Sequence, residues 1–230
     1  MPPGAPAPPQ RSARHASPDS ATWLSRVYDA TVWYWDSFVH AGSYGSAYRA
    51  LLERLREDGR LSDAPSRVLD CGIGAGVFSE ALVRTLGVPA RLYGVDLSRR
   101  LLERAAARLR AAGASVQLAR GDARALPFPD GQMDAVLCGL VLDHLGAASG
   151  ALRELARVAR PGAPIVVVTT RPLAPDLPFR AVFRYRHLDP AAVERAMTAA
   201  GLCDVRRHAL TGLARPFGIA FTGRAATAPR

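Results

Sequence analysis

From residue 66 onward the apolar positions come in short runs that alternate between two periods. Arg67-Val68-Leu69-Asp70 reads as a short buried strand. Val77 to Leu86 reads as a helix, with Phe78, Leu82 and Leu86 on one face. Arg91 to Val95 is a second strand, and Ser98 then caps a helix that runs to about Ala112 and stops at Gly113. Strands follow at Val116–Ala119 and Asp134–Cys138. A helix over Ala147–Ala159 is stopped by Pro161-Gly162, and Pro164–Thr169 is a strand with a β-branched centre. Beyond a Pro-rich loop at 172–178, Asp189 caps a helix that opens on Pro190 and ends at Gly201. Two last strands lie near 202–209 and 217–222, and the loop between them is too short for a crossover helix. They are therefore predicted to be antiparallel neighbours. Strands alternating with helices predict an α/β fold: a Rossmann-like, seven-stranded, mostly parallel sheet with an antiparallel last strand and helices on both faces.

The pattern before residue 66 is different. Residues 1–21 are rich in Pro, Ala and Ser and lack an apolar segment, so a flexible tail is expected rather than a secretory signal. Residues 22–64 form an aromatic, helical cap. It holds all three tryptophans (Trp23, Trp33 and Trp35), together with Tyr28, Tyr34, Phe38, Tyr44 and Tyr48. Leu51, Leu52 and Leu55 give Ala47–Glu57 a helical spacing, and Gly59 and Pro65 close the region. Three readings stand for the cap: a lid that supplies an apolar pocket, a helix packing its aromatic stripe on the sheet, and an interfacial helix meeting a membrane. The main domain is expected over 65–224, with a short C-terminal tail at 225–230.

Composition narrows the classes. The chain has 230 residues, of which 49% are hydrophobic, which suits one well-buried domain. No stretch reaches the roughly 18 apolar residues of a membrane span. The net charge is +10 and every basic residue outside histidine is Arg, since the chain contains no Lys. Scattered arginines favour a coding bias over a nucleic-acid footprint. The absence of Lys excludes Schiff-base chemistry and a P-loop lysine. Three widely spaced cysteines, Cys71, Cys138 and Cys203, argue against a disulfide scaffold or a zinc site. All three are expected to be buried thiols, and the protein to be cytoplasmic.

Candidate chemistry sits at the strand ends. The first strand ends in Asp70 and runs into Gly72, Gly74 and Gly76 before a helix. Such a turn lets a ligand approach the backbone closely. The third glycine comes one residue too early for the dinucleotide fingerprint, which weakens a nicotinamide or flavin reading, and an acid beside the turn suits an ammonium better than a pyrophosphate. Asp96 ends the second strand, twenty residues beyond Gly76, where an acid can accept both ribose hydroxyls. Gly121-Asp122-Ala123 follows the third strand, and Asp122 is placed to accept from an adenine amino group. Each Asp alone could be a turn residue. Three in register with a glycine turn point to a nucleoside.

On these segments the chain resembles the class I S-adenosylmethionine-dependent methyltransferases. VLDCGIGAGVFSEAL resembles their first motif, YGVDLS their ribose motif, and ARGDARALPFPDGQMDAVLCGLVLDHL their adenine motif with the following strand. The likeness covers roughly residues 66–223 and is nearest to quinone-biosynthesis C-methyltransferases and small-molecule methyltransferases. It implies S-adenosylmethionine as cofactor and S-adenosylhomocysteine as product. It implies that Gly72, Gly74 and Gly76 line the methionine part with Asp70 near its amino group. Asp96 and Leu97 would bind the ribose, and Asp122 and Ala123 the adenine. Cys138 and Gly139 would face the cofactor, and Tyr28 matches a position near it. Asp143-His144 departs from the family's frequent His-His pair.

Methyl transfer needs alignment and exclusion of water, and a base only when the acceptor must lose a proton. His144 is the first candidate for a base or substrate contact, against an alternative role in packing. Trp33, Tyr34, Trp35, His40 and His187 are candidates for acceptor binding. The position after the fourth strand reads Cys138-Gly139-Leu140-Val141, without the Pro-Pro-aromatic motif of base-amino methylation, so no nucleic-acid partner is expected. Asp143 alone offers no carboxylate cluster, so no metal is expected. The expected partner is a small, largely apolar acceptor, methylated at carbon, oxygen or nitrogen. Membrane contact is disfavoured, and the oligomeric state is not set by the sequence. A protein of the same fold that binds S-adenosylmethionine without methyl transfer is the alternative.

Overall fold

The structure is a computed structural model that describes residues 44–62, 65–87, 91–145, 147–171 and 186–226. The tail and most of the aromatic cap, with Tyr28, Trp33, Tyr34, Trp35 and His40, lie outside the described residues.

Among the described residues, five helices and seven strands follow one another. They are α1 (Tyr44–Glu57), β1 (Arg67–Cys71), α2 (Val77–Leu86), β2 (Arg91–Asp96), α3 (Arg99–Ala111) and β3 (Val116–Arg120). Next come β4 (Ala135–Gly139), a 3-10 turn at Leu142–His144, α4 (Ala148–Val158) and β5 (Pro164–Thr170). The chain continues through α5 (Pro190–Ala199), β6 (Leu202–Ala209), a 3-10 turn at Gly212–Ala214 and β7 (Gly218–Ala225). The caps read from the sequence are formed. The Ser98 hydroxyl accepts from the Leu101 N–H at 3.2 Å, and the Asp189 carboxylate accepts from Ala191 and Ala192.

One sheet joins the strands in the order β3-β2-β1-β4-β5-β7-β6. β1 to β5 pair in parallel, and β7 lies antiparallel between β5 and β6. The chain leaves β1 toward β2 and β3, then returns to β4 on the other side of β1. The order reverses at the β1–β4 boundary, which opens a crevice beyond the carboxyl ends of these strands.

Alternation along the strands divides the core in two. Val68, Leu137, Val166 and Ala220 pack against α1, α2 and α3. Leu69, Cys71, Val136, Cys138, Val167 and Phe221 pack against α4 and α5. The buried stripe of α1 runs Tyr44, Ala47, Tyr48, Leu51, Leu52 and Leu55, the spacing of one helical face. This helix begins three residues before the predicted Ala47.

One expectation is corrected. Cys71 and Cys138 are buried, but Cys203 is exposed. It sits on β6, the outermost strand, where alternate side chains have no covering layer.

Candidate functional site

The carboxyl ends of β1, β2 and β4 and the loop after β3 surround one cleft, which holds about 960 Å³ out to its open mouth. Asp70, Asp96 and Asp122 all line it, together with Gly72, Gly74, Leu97, Ala123, Gly139 and His144. Residues far apart in the chain thus converge where the strand order reverses.

Asp70 forms the floor. The pleat points it to the α1–α2 side of β1, where it is 1% exposed. Its carboxylate accepts from the Ser79 hydroxyl on α2 at 2.7 Å. Burial pushes the carboxyl up to about 7, against the hydrogen bonds from Ser79. A carboxylate held this way gains most from a cation brought into the cleft.

The glycine turn owes its shape to two close approaches. Gly72 has φ +71°, and a Cβ there would stand 2.1 Å from a methyl of Val141. Gly76 has φ +82° and opens α2 as its N-cap, where a Cβ would meet the Ala105 Cα of α3 at 3.2 Å. Gly76 therefore seats one helix on another and does not line the cleft. Gly74 donates its N–H to an Asp96 oxygen at 2.9 Å, while the other Asp96 oxygen accepts from the Ser98 N–H at 2.8 Å. Asp96 thus ties the first turn to the second. A carboxylate oxygen can accept more than one hydrogen bond, so an acid at this position is chemically suited to hydroxyl donors.

Asp122 is engaged by Arg124 in a two-pronged contact. Arg124 Nε donates to Oδ1 at 2.9 Å, its terminal nitrogen donates to Oδ2 at 2.6 Å, and its main-chain N–H adds a third bond at 2.8 Å. Burial alone would raise this carboxyl, but the Arg124 contacts overcome that and hold it below the usual range. The loop carrying Asp122 is itself fixed from α4. Arg157 donates to the Leu126 and Phe128 carbonyls and to Asp130, and Glu154 accepts from the Leu126 N–H.

Not every residue singled out in the sequence reaches the cleft. Cys138 points into the opposite core layer with Cys71, because the pleat alternates and Gly139 takes the cleft side. His187 lies beside Thr170, away from the lining. His144, half-buried in the 3-10 turn, does line it. Conversely, Tyr48 and Phe78 carry no such signal in the sequence, yet they form the wall next to Asp70. Their rings stack at 4.1 Å between centroids, and both stand over the bare Gly139. Burial lifts the Tyr48 phenol well above its ordinary range. Leu140, also in the lining, adopts φ +58°, rare for a residue with a branched side chain.

The donor set suits S-adenosylmethionine. The buried Asp70 matches an ammonium, the close backbone at Gly72 and Gly74 matches a ligand laid against it, and Asp96 matches a pair of hydroxyls. Among the described residues no group of His, Cys, Asp or Glu is arranged to hold a metal ion.

Fold and cleft together define a doubly wound α/β domain with a nucleoside-type site at its switch point. Comparison with known proteins gives the family. The family described as methyltransferase domain matches residues 69–167. The demethylmenaquinone methyltransferase of Thermus thermophilus is 31% identical over 206 residues, covering 77% of this chain and 89% of that protein. The 2-phytyl-1,4-naphtoquinone methyltransferase of Synechococcus elongatus is 36% identical over 137 residues, 58% of this chain. That match spans only 59% of the Synechococcus protein, so the chain covers little more than half of it. In fold, the magnesium protoporphyrin IX methyltransferase of Synechocystis PCC 6803, solved with bound S-adenosylhomocysteine, superposes with a TM-score of 0.71 at 18% identity. It covers 90% of this chain and 100% of that one. The chain belongs to the S-adenosylmethionine-dependent methyltransferases.

Proposed function

We propose that this protein transfers the methyl group of S-adenosylmethionine to a small, largely apolar acceptor of the aromatic quinol type. The observation that carries the reading is the convergence of Asp70, Asp96 and Asp122 on one cleft with a backbone-lined turn. The names of the quinone-methylating relatives support the acceptor class. Bound in the cleft, the cofactor supplies an electrophilic methyl on a sulfonium. The chain's own work is binding, alignment and exclusion of water.

In this reading Asp70 pairs with the ammonium, and Gly72 and Gly74 take the methionine backbone. Asp96 and Leu97 hold the ribose, and Asp122, kept anionic by Arg124, accepts from the adenine amino group beside Ala123. Tyr48, Phe78, Gly139 and Leu140 give an apolar wall. His144 faces the acceptor. The aromatic residues Tyr28, Trp33, Tyr34 and Trp35, with His40, supply the acceptor pocket in this reading, and all five lie outside the described residues. The partner is a small molecule rather than nucleic acid, and the place of action is the cytoplasm. Among the described residues no helix is long and apolar enough to cross a membrane.

Calorimetry with S-adenosylmethionine, S-adenosylhomocysteine and NAD tests the cofactor. Micromolar binding of the first two and none of NAD is expected, and tight NAD binding would overturn the reading. Release of S-adenosylhomocysteine in the presence of 1,4-naphthohydroquinone tests the transfer. Cofactor binding without product from this or any other quinol would favour a sensor of the same fold.

A further inference from the structure

The wall beside Asp70 is apolar except at one point, the hydroxyl of Tyr48. Tyr48 lines the cleft and is 3% exposed. Its ring lies on that of Phe78, and its hydroxyl stands over Gly139, 3.1 Å from where a Cβ would be. Among the described residues that hydroxyl has no hydrogen-bond partner. A polar group buried in this way costs free energy that a ligand can recover.

The hydroxyl belongs to the start of α2. Phe78, against the Tyr48 ring, is the second residue of that helix, and Ser79, which binds Asp70, is the third. Val77 and Phe78 also line the cleft. The first N–H groups of a helix have no carbonyl one turn behind them, and its dipole presents a positive end there. Asp70, the opening turn of α2 and the Tyr48 hydroxyl therefore share one end of the cleft.

The amino-acid end of S-adenosylmethionine carries an ammonium and a carboxylate on the same carbon. Asp70 suits the ammonium, which leaves the carboxylate in need of donors. The glycine turn has little to spare. The Gly72 and Ile73 N–H groups go to the Val95 carbonyl, that of Gly74 goes to Asp96, and that of Gly76 goes to the Ile73 carbonyl. A cation is missing too: the chain has no Lys, and among the described residues no Arg lines the cleft. The other titratable groups of the lining are three acids, which repel a carboxylate, and His144, which sits in the turn after β4. Tyr48 is the donor that feels the Asp70 charge.

We propose that the Tyr48 hydroxyl donates to the carboxylate of the cofactor's amino-acid end, at the N-terminus of α2, and so is a cofactor-binding residue. The inference rests on the S-adenosylmethionine reading above and assigns the group that reads its carboxylate. Burial, with Tyr44 and Asp70 nearby, lifts the phenol well above its ordinary range, so it keeps its proton and stays a donor. A cation at this point would compete with the ligand ammonium for Asp70, whereas a neutral hydroxyl does not.

Calorimetry at pH 8 tests the assignment with S-adenosylmethionine, S-adenosylhomocysteine and decarboxylated S-adenosylmethionine, which keeps the amine and the sulfonium. The native protein is expected to bind S-adenosylmethionine at least tenfold more tightly than the decarboxylated form. Y48F keeps the ring stack, and near-UV circular dichroism checks its fold. Its Kd for S-adenosylmethionine and S-adenosylhomocysteine should rise roughly tenfold to a hundredfold, with that for the decarboxylated form within twofold of native. Equal native affinity for the two sulfonium ligands would mean that the carboxylate is not read, and would overturn the proposal without any variant. Native discrimination retained in Y48F would give the carboxylate to another donor, and equal weakening of both ligands would reduce Tyr48 to packing. Either result sinks the proposal. No binding of S-adenosylmethionine by the native protein would refute the cofactor reading and the assignment with it. Intact native binding with an indifferent Y48F refutes the assignment alone.

Discussion

Asp70 has a charge that its surroundings discourage. Its carboxyl is moved from 3.8 to about 7 by burial. A folded value above the unfolded one means that the group favours folding below about pH 4. That contribution fades as the pH climbs and is gone above about 7. A ligand ammonium needs the anion, so the dependence of binding runs the other way. Affinity for S-adenosylmethionine should fall about tenfold per pH unit below 7 and level off above it. Calorimetry from pH 5.5 to 8.5 measures this, and D70N should bind weakly with the slope removed. Gly72 offers a steric counterpart. G72A places a methyl against Val141 in a backbone conformation that alanine avoids, and should cost roughly 1–3 kcal/mol. For a chain of this size that is a fall in Tm of about 2–4 °C per kcal/mol. G59A, at φ +65° with open space around it, bears only the backbone part and serves as the control.

Among the elements, the loop between β3 and β4 depends most on one side chain. Arg157 of α4 binds two of its carbonyls as well as Asp130 and Glu154. R157A should raise the Kd for S-adenosylmethionine by roughly threefold to tenfold while leaving the helices intact. Hydrogen exchange of residues 121–132 should quicken more than that of β1 or β4. The elements themselves were readable from the sequence. Strand runs such as Ile165-Val166-Val167-Val168 are too short and too β-branched for a helix, and Ser98, Asp189 and Pro190 announce helix starts. The three acids of the cleft were equally visible, because a strand end is a fixed point in this topology. Contacts between distant residues were not. The Arg124 grip on Asp122, the Tyr48–Phe78 stack over Gly139 and the Thr170–His187 bond depend on how separate elements dock. The left-handed Leu140 has no marker in the sequence either. Cys138 is a related case: its position at the end of the fourth strand is legible, but one step in the pleat decides which layer its side chain enters.

The whole molecule can be followed through its cysteines. Cys203 on the outer strand should react with iodoacetamide in the native state, whereas Cys71 and Cys138 should stay protected until the sheet opens. Cys71 is further disfavoured as a thiolate by its hydrogen bond with the Cys138 thiol and by burial. Mass spectrometry across a urea titration should therefore show one fast adduct, then two that appear together at the global transition. An earlier adduct on either buried thiol would mean that the β1–β4 seam opens locally. The placement of β7 has a consequence for how the protein is made. Its eight residues slot between β5 and β6, pairing with β5 from Pro164 to Thr170 and with β6 on its other side. While the chain emerges from a ribosome, β5 presents a bare, strongly β-forming flank until residues 218–225 have cleared the exit tunnel. During that interval the nascent chain is exposed to mispairing with its neighbours. A stalled or shortened product lacking this strand is the species that chaperones and proteases should be expected to meet.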